Sequence, residues 1–407
     1  MDGVVMSAEV MSGTTTDVVS GRRLGAGVAL GAVVLMMAGA SAPSPFYPDL
    51  QVGLGLQPWV MTAVFAVYAV ALLVTLLVLG SVSDHVGRRP VVTVGFLLLA
   101  ASFALFRSAD AAALLFEARI LQGVASGLLL STLSAAVADF ERPSRPGSAA
   151  VVNAVAPMVG LAVGAVVSGV VLQVSGDARI IVFDALVVLS LLLAAGVWLT
   201  PETAPRHDGL LTSLRPRIAV PPAIRGLLAS SAPAIFAGWA TGGLFLSLGA
   251  AIVRTELGAH SHVLQGLAIG FLAGAGAVAA YVFRNRSARA TTLYGTTALA
   301  VGTVLSLLAL LSGSATAYLA AVVVAGTGFG TAFFGILRSI MPLLPAHERA
   351  EVFAVIFIVS YLAFGVPAVI AGLLTPEIGL AATTYAYGAV VVLLSATAGL
   401  LRWRSSH

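Results

Sequence analysis

Long apolar runs separated by short clusters of charge occupy the chain from residue 24 to residue 401. Twelve such runs stand out, at 24–46, 57–80, 90–107, 112–139, 148–173, 179–200, 225–253, 263–283, 290–312, 316–344, 350–374 and 379–401. Several exceed the ~20 residues that a helix needs to cross a bilayer, and the excess permits tilt without fixing its angle. The pattern predicts an all-α membrane protein with 12 transmembrane helices. The first run follows Arg22-Arg23 and ends in small residues, which is also the outline of a cleaved signal peptide. The spans that follow favour an uncleaved first helix.

Composition supports the same reading. Of 407 residues, 59% are hydrophobic and 9% charged, with a mean hydropathy of +1.03. Soluble proteins are about 25% charged, so too few polar residues exist to cover a soluble domain of this size. All 21 basic residues are arginine, which with the abundant Ala, Val and Gly hints at a high-GC bacterial genome. The absence of cysteine excludes disulfides, thiol catalysis and thiolate metal sites. A chain without lysine has no phosphate-cradling loop ending in Gly-Lys, which disfavours ATP-driven transport by this chain alone.

Charge then orients the spans. With the N-terminus inside, sixteen arginines fall on inner loops and tails, among them Arg22, Arg88, Arg142, Arg215, Arg289 and Arg404. Only Arg107, Arg179 and Arg254 fall outside, while Arg119 and Arg338 lie within spans. This positive-inside bias places both termini in the cytoplasm. It also accounts for the pI near 9.8 without nucleic acid as a partner.

The stretch 201–224, rich in proline and arginine, divides the chain into halves of similar length. The expected organisation is an N-terminal tail 1–23, a bundle 24–200, a cytoplasmic linker 201–224, a second bundle 225–401 and a tail 402–407. Sliding the second half by 203 residues superposes Gly123 on Gly326, Gly127 on Gly330 and Gly169 on Gly372. Internal duplication of this kind is common in secondary transporters.

The loop after the second span reads Gly80-Ser81-Val82-Ser83-Asp84-His85-Val86-Gly87-Arg88-Arg89-Pro90. It resembles the G-x-x-x-D-x-x-G-R-R/K signature of the major facilitator superfamily. Independently of that likeness, the glycines permit close approach of helix ends, and Asp84 can pair with Arg88. The pair is expected to act as a conformational latch with Arg89. By the resemblance, Asp139 joins Arg88 in a charge relay; as a plain helix-end acid it would only be solvated.

The fourth span carries Arg119-Ile120-Leu121-Gln122-Gly123 and then Gly127, similar to the family's R-x-x-Q-G pattern. An arginine inside a span is costly and normally faces the bundle interior or an aqueous cavity. Arg119 is expected to line the cavity beside Gln122, binding an anion or tuning a carboxylate; the alternative is that it snorkels to the headgroups. The fifth span, with Pro157, Gly160 and Gly164, partly resembles the antiporter signature G-P-x-x-G-G. Ala156 and Leu161 replace two of its glycines, which leaves the antiporter subtype open. What remains is a proline kink and a small-residue packing face. The loop 284–289 is basic but lacks the aspartate and glycines of its counterpart.

The resemblance implies two pseudo-symmetric six-helix bundles, with spans one, four, seven and ten lining a cavity. On this sequence that points to Tyr47, Arg119, Gln122, Trp239, Phe245, Phe333 and Phe334. Span one, as bounded above, holds no acid, so the embedded proton-coupling candidates are Glu117 and Asp184. Salt bridging of Glu117 to Arg119, and an interfacial position for Asp184, are the plainer readings. The expected function is proton-coupled export of small organic compounds by a monomer in a bacterial inner membrane, without metal or cofactor. Uptake of a metabolite or organic anion, with Arg119 as anchor, is the second reading. A non-transporting sensor or scaffold is the third, and a membrane enzyme lacks any embedded metal-ligand cluster.

Overall fold

The computed structural model describes residues 3–404 apart from 143 and 217, with side chains from residue 21 onward except at 346 and 347. Twelve helices in it are long and apolar enough to cross a membrane. They are α1 (Gly3–Ser41), α2 (Pro58–Leu79), α3 (Arg88–Ser108), α4 (Ala112–Asp139), α5 (Ser148–Val174), α6 (Ala178–Gly196), α7 (Arg225–Ala251), α8 (His262–Val282), α9 (Ala288–Leu311), α10 (Ala315–Ile340), α11 (Ala346–Ile378) and α12 (Leu380–Arg404). Helix is what such runs must form in lipid, because every backbone N–H and C=O has to be satisfied within the segment. Helix starts carry the expected signals. Pro58 opens α2, and the Ser287 and Ser314 hydroxyls accept from the amides of Ala290 and Ala317.

The first span is longer than the apolar run suggests. After Ser41 the chain passes through a 3-10 turn, Ser44–Phe46, into a short helix, Tyr47–Gly53, and the whole span covers Gly21–Gly53. Pro43, Pro45 and Pro48 interrupt the regular hydrogen bonding without turning the chain back. The boundary at 46 was therefore drawn too early, and it left Asp49 outside the span. At the other end α1 begins at Gly3, so the expected tail is continuous with the first helix.

The helices form two six-helix bundles, α1–α6 and α7–α12. Their pseudo-symmetry is visible in where the three matched glycine pairs make contact. A Cβ at Gly123 would lie 2.6 Å from the Tyr68 carbonyl oxygen on α2, and one at Gly127 would meet Thr75 and Leu72 on the same helix. In the second half, Gly326 and Gly330 press in the same way on Leu272 and Gly276 of α8. Gly169 of α5 touches His262 and Gly266 of α8 across the bundles, while Gly372 of α11 touches Trp59 and Thr62 of α2. Each pair of contacting helices has its counterpart after the shift of 203. Such backbone approach is available only to small residues, which substitute for hydrophobic driving force inside lipid.

Gly160 and Gly164 place α5 against α1, where a Cβ at Gly160 would come within 2.5 Å of the Val34 carbonyl oxygen. Pro157 sits inside α5, as expected, and the helix continues through it.

The two bundles meet through α2 with α11 and α5 with α8. These contacts begin at the end away from the chain termini, with Trp59, Thr62, Phe65 and Ala66 against Phe364–Gly372 and Ala165 and Gly169 against His262–Gly266, and along α5 and α8 they continue to Met158 against Gly276. Toward the chain ends, Ser131 and Ser134 of α4 and Phe333 and Leu337 of α10 are partly exposed although their helices are central. The seam is closed at one end.

Candidate functional site

Arg119 lies inside the first bundle, with no exposed surface. Its Nε donates to the Tyr47 hydroxyl at 2.8 Å, and a second guanidinium nitrogen donates to the same oxygen. Nη1 donates to Gln122 Oε1 at 2.5 Å and to the Ala40 carbonyl at 3.3 Å. The rings of Tyr47, Tyr68 and Phe106 lie 5.3–5.5 Å from the guanidinium carbon, a distance at which ring quadrupoles attract a cation. Gln122 Nε2 in turn donates to Gly39 O at 2.8 Å. Among the described residues no carboxylate pairs with Arg119. The side chain is thus neither in lipid nor on an open wall; Tyr47, Gln122 and the α1 backbone enclose it. Arg119 was expected to line the cavity; in this conformation aromatic rings close over its charge.

The loop signature assembles around Arg88. Its Nη1 donates to Asp84 Oδ1 at 2.5 Å and to Ser83 Oγ at 2.6 Å, and its Nε donates to Asp139 Oδ2 at 3.3 Å. Asp139 also accepts from the Thr203 hydroxyl at 2.7 Å. Gly87 has φ +115, a conformation that favours glycine, and a Cβ there would stand 2.8 Å from Glu202 Oε2. Gly80 closes the preceding helix, where a Cβ would collide with the Leu76 carbonyl. Arg89 does not share the ion pairs; its amide is held and its Nε is buried without a partner.

Glu202 was not foreseen. Its carboxylate accepts from the amides of Arg88 at 2.8 Å and Arg89 at 3.1 Å, capping the first turn of α3 from 114 residues away. Free amides and the helix dipole both favour an anion there. Burial by itself would raise the carboxyl's pKa, but hydrogen bonds from the amides of Ala204, Arg88, Arg89 and Thr203 outweigh it and hold the group below the ordinary carboxylate range. His207 N–H donates to Asp84 O, His85 Nδ1 to His207 O at 2.7 Å, and Ser81 Oγ to Ser213 O. The start of the linker is strapped to the first bundle. Every partner named here belongs to that bundle or the linker.

The aromatic candidates divide. Trp239 contacts Phe333 edge-on with centroids 5.7 Å apart, Tyr361 at 5.0 Å and Phe364 at 5.8 Å. Phe364 reaches Phe65 of α2 at 4.7 Å, so this cluster bridges the seam. Tyr361 and Phe364 lie on α11, a helix outside the expected lining set. Phe245 stacks with Tyr318 inside the second bundle, and Phe334 is buried beneath the Arg338 guanidinium. Phe245 and Phe334 are core residues, which corrects their placement on the cavity wall.

Neither acid expected to carry protons reaches the seam. Glu117 is exposed and does not pair with Arg119; Asp184 is half-exposed and pairs with Arg107 at 2.7 Å between α3 and α6. The helix faces explain this, because positions two apart on α4 point in different directions. The acid that does reach the seam is Asp49. Its Oδ1 accepts from Arg254 Nη1 at 2.5 Å, on the π-helical turn Ile252–Glu256 that follows α7, and its Oδ2 lies 3.8 Å from His262 Nδ1. Beside it, Gln173 Oε1 of α5 accepts from the Ser261 hydroxyl and the His262 amide. These bonds tie the bundles together at the closed end.

Two six-helix bundles of apolar helices, joined on a seam closed at one end, define a multi-pass helical membrane protein. The chain belongs to the Major Facilitator Superfamily, whose model matches residues 29–368. It is similar to multidrug resistance protein MdtH of Yersinia enterocolitica, 29% identical over 144 residues, which is 34% of this chain and 35% of that protein. The same protein from Yersinia pestis is 28% identical over a stretch of the same length. The chain thus spans about a third of the length of these relatives. Among solved structures, the fold is similar to a partially occluded inward-open conformation of the xylose transporter XylE from E. coli. That match has a TM-score of 0.73 and 13% identity, and covers 95% of this chain and 98% of that one. The family model shows the superfamily, and the solved structure agrees with it in fold.

Proposed function

We propose that the chain exports small organic compounds across a bacterial inner membrane by alternating access, driven by a proton gradient, with both termini in the cytoplasm. The observation that carries this reading is the one-ended seam. Contacts tie the bundles together away from the chain ends, while α4 and α10 present partly exposed residues near them. A carrier resting with its arginine-rich face open is poised to take substrate from the cytoplasm. The limited likeness to MdtH supports a drug-like cargo. Trp239 and Phe333, both partly exposed, offer such a cargo a mainly apolar surface, and the Asp84–Arg88–Asp139 cluster acts as the latch that favours one state.

Uptake of an organic anion is the second reading. Arg119 supports it, being a buried cation with no carboxylate partner. A substrate screen in everted vesicles, with and without an imposed pH gradient, separates the two. Export predicts gradient-dependent accumulation inside everted vesicles. Accumulation only in right-side-out vesicles, or none that responds to the gradient, overturns it.

A further inference from the structure

We propose that Asp49 is a proton-binding site that controls the closed end of the seam, its protonated form favouring the state open to that side. The proposal rests on the alternating-access part of the function above, not on direction or substrate. Asp49 stands in the short helix Tyr47–Gly53 of the first bundle; its partners Arg254 and His262 belong to the second. The tie therefore exists only while the bundles are together at this end, and opening must separate it. The pair is part-exposed, with side-chain exposures of 40% for Asp49 and 31% for Arg254, so protons reach it from the aqueous side.

The surroundings leave few other groups to answer for a pH effect. The Ile252–Glu256 turn brings Arg254 and Glu256, the following loop His260, and α8 His262. The Ser44–Phe46 turn, α2 and α5 bring no acid, base or histidine, and the Arg225 of α7 lies at that helix's far end. Asp49 is thus the acid that binds across the seam.

A second observation shows that the closed seam holds polar atoms in want of partners. Ser44 Oγ, Ser168 Oγ and both amide atoms of Gln265 are buried and without a hydrogen-bond partner among the described residues. Gln265 has no exposed surface at all. The Ser44–Phe46 turn packs against α5, α7 and α8, so these groups gather where the bundles meet. Unpaired buried polar atoms oppose the state that buries them, and opening hydrates them. The charged tie to Arg254 holds the seam against that tendency. Protonation of Asp49 neutralises the carboxylate and removes the attraction, while Arg254 is left wanting water.

The two titrations have opposite signs. Protonating His262 strengthens its attraction to the Asp49 carboxylate and tightens the seam. Protonating Asp49 releases it. The chain has no cysteine, so Val52→Cys with Thr255→Cys, both at exposed positions, puts spin labels on the two bundles without background. Distance distributions of the full-length protein in liposomes, without substrate or gradient, then read the opening. The native pair should open as the medium is acidified. Asp49→Asn should raise the open population about five-fold at neutral pH and flatten the opening response to acid, and His262→Gln should keep that response. The exchanged pair Asp49→Arg with Arg254→Asp should restore the neutral-pH seal, which excludes misfolding as the cause. An acid response that persists in Asp49→Asn, or a native seam indifferent to pH, overturns the proposal. Because no cargo is involved, failure of the export reading leaves this result standing, and the reverse also holds.

Discussion

Arg119 and Tyr47, 72 residues apart, are locked together by two hydrogen bonds from one guanidinium to one phenolic oxygen, with no carboxylate beside them. The ring of Tyr47 also faces the charge at 5.5 Å. A neutral aromatic thus occupies a place where an acid would cancel the charge, and the bundle keeps a net positive interior at that depth. Tyr47→Phe removes one acceptor serving two donors, and should lower stability by about 1–3 kcal/mol, the cost of leaving buried charged donors short of partners. Arg119→Ala should abolish transport in proteoliposomes if the charge acts on substrate or proton. Intact transport by folded Arg119→Ala would sink the anion-anchor reading.

Glu202 should act as a helix cap supplied by the linker. Glu202→Gln should speed hydrogen exchange at the Arg88 and Arg89 amides by roughly five-fold at neutral pH, as loss of about 1 kcal/mol of capping implies. The carboxyl's folded pKa is depressed, so its contribution is complete above the ordinary carboxylate pKa and disappears as pH falls through the folded value. Native and variant exchange, corrected for intrinsic rates, should therefore converge only in strong acid. Convergence already at mildly acidic pH would contradict the capping role.

Asp84→Asn should loosen Arg88 without detaching it, since Asp139 and Ser83 still accept from the same guanidinium. The double change Asp84→Asn with Asp139→Asn should shift the balance of the two transport states more than the sum of the single changes. Cysteine accessibility at both faces measures that balance, and additive single effects would deny that the three residues act as a unit.

Gly127→Val and Gly330→Val should each destabilise the fold by about 1–3 kcal/mol through overpacking, because each glycine meets backbone of a neighbouring helix. Gly238→Ala is the control. Nothing lies within 4 Å of its added Cβ, so alanine should be neutral or gain up to about 1 kcal/mol of helix propensity. Thermal unfolding in detergent compares the three.

Single cysteines at Val52 and Leu211, both strongly exposed, should label from opposite sides of the membrane. An impermeant thiol reagent should reach Val52→Cys in intact cells and Leu211→Cys only in everted vesicles. The reverse pattern would invert the topology inferred from the arginines.

The number of spans, their order and their close boundaries could be read from the sequence, because a segment in lipid must satisfy its own backbone and so declares itself by local hydropathy. The Asp84–Arg88 pairing was legible for the same reason: four residues along one chain turn bring the two side chains together. The three glycine matches foreshadowed the duplication, although only packing reveals that matched glycines make matched contacts. What local pattern could not convey was which polar groups meet across distance. Glu202 reaches α3 over 114 residues and Arg254 reaches Asp49 over 205, and neither distance leaves a periodic trace. Side-chain direction was equally hidden: α4 turns Arg119 inward and Glu117 outward within three residues, and Phe333 and Phe334 part company between one position and the next. Burial of a charge depends on what the other helices bring to it, and that is settled only when the bundle closes.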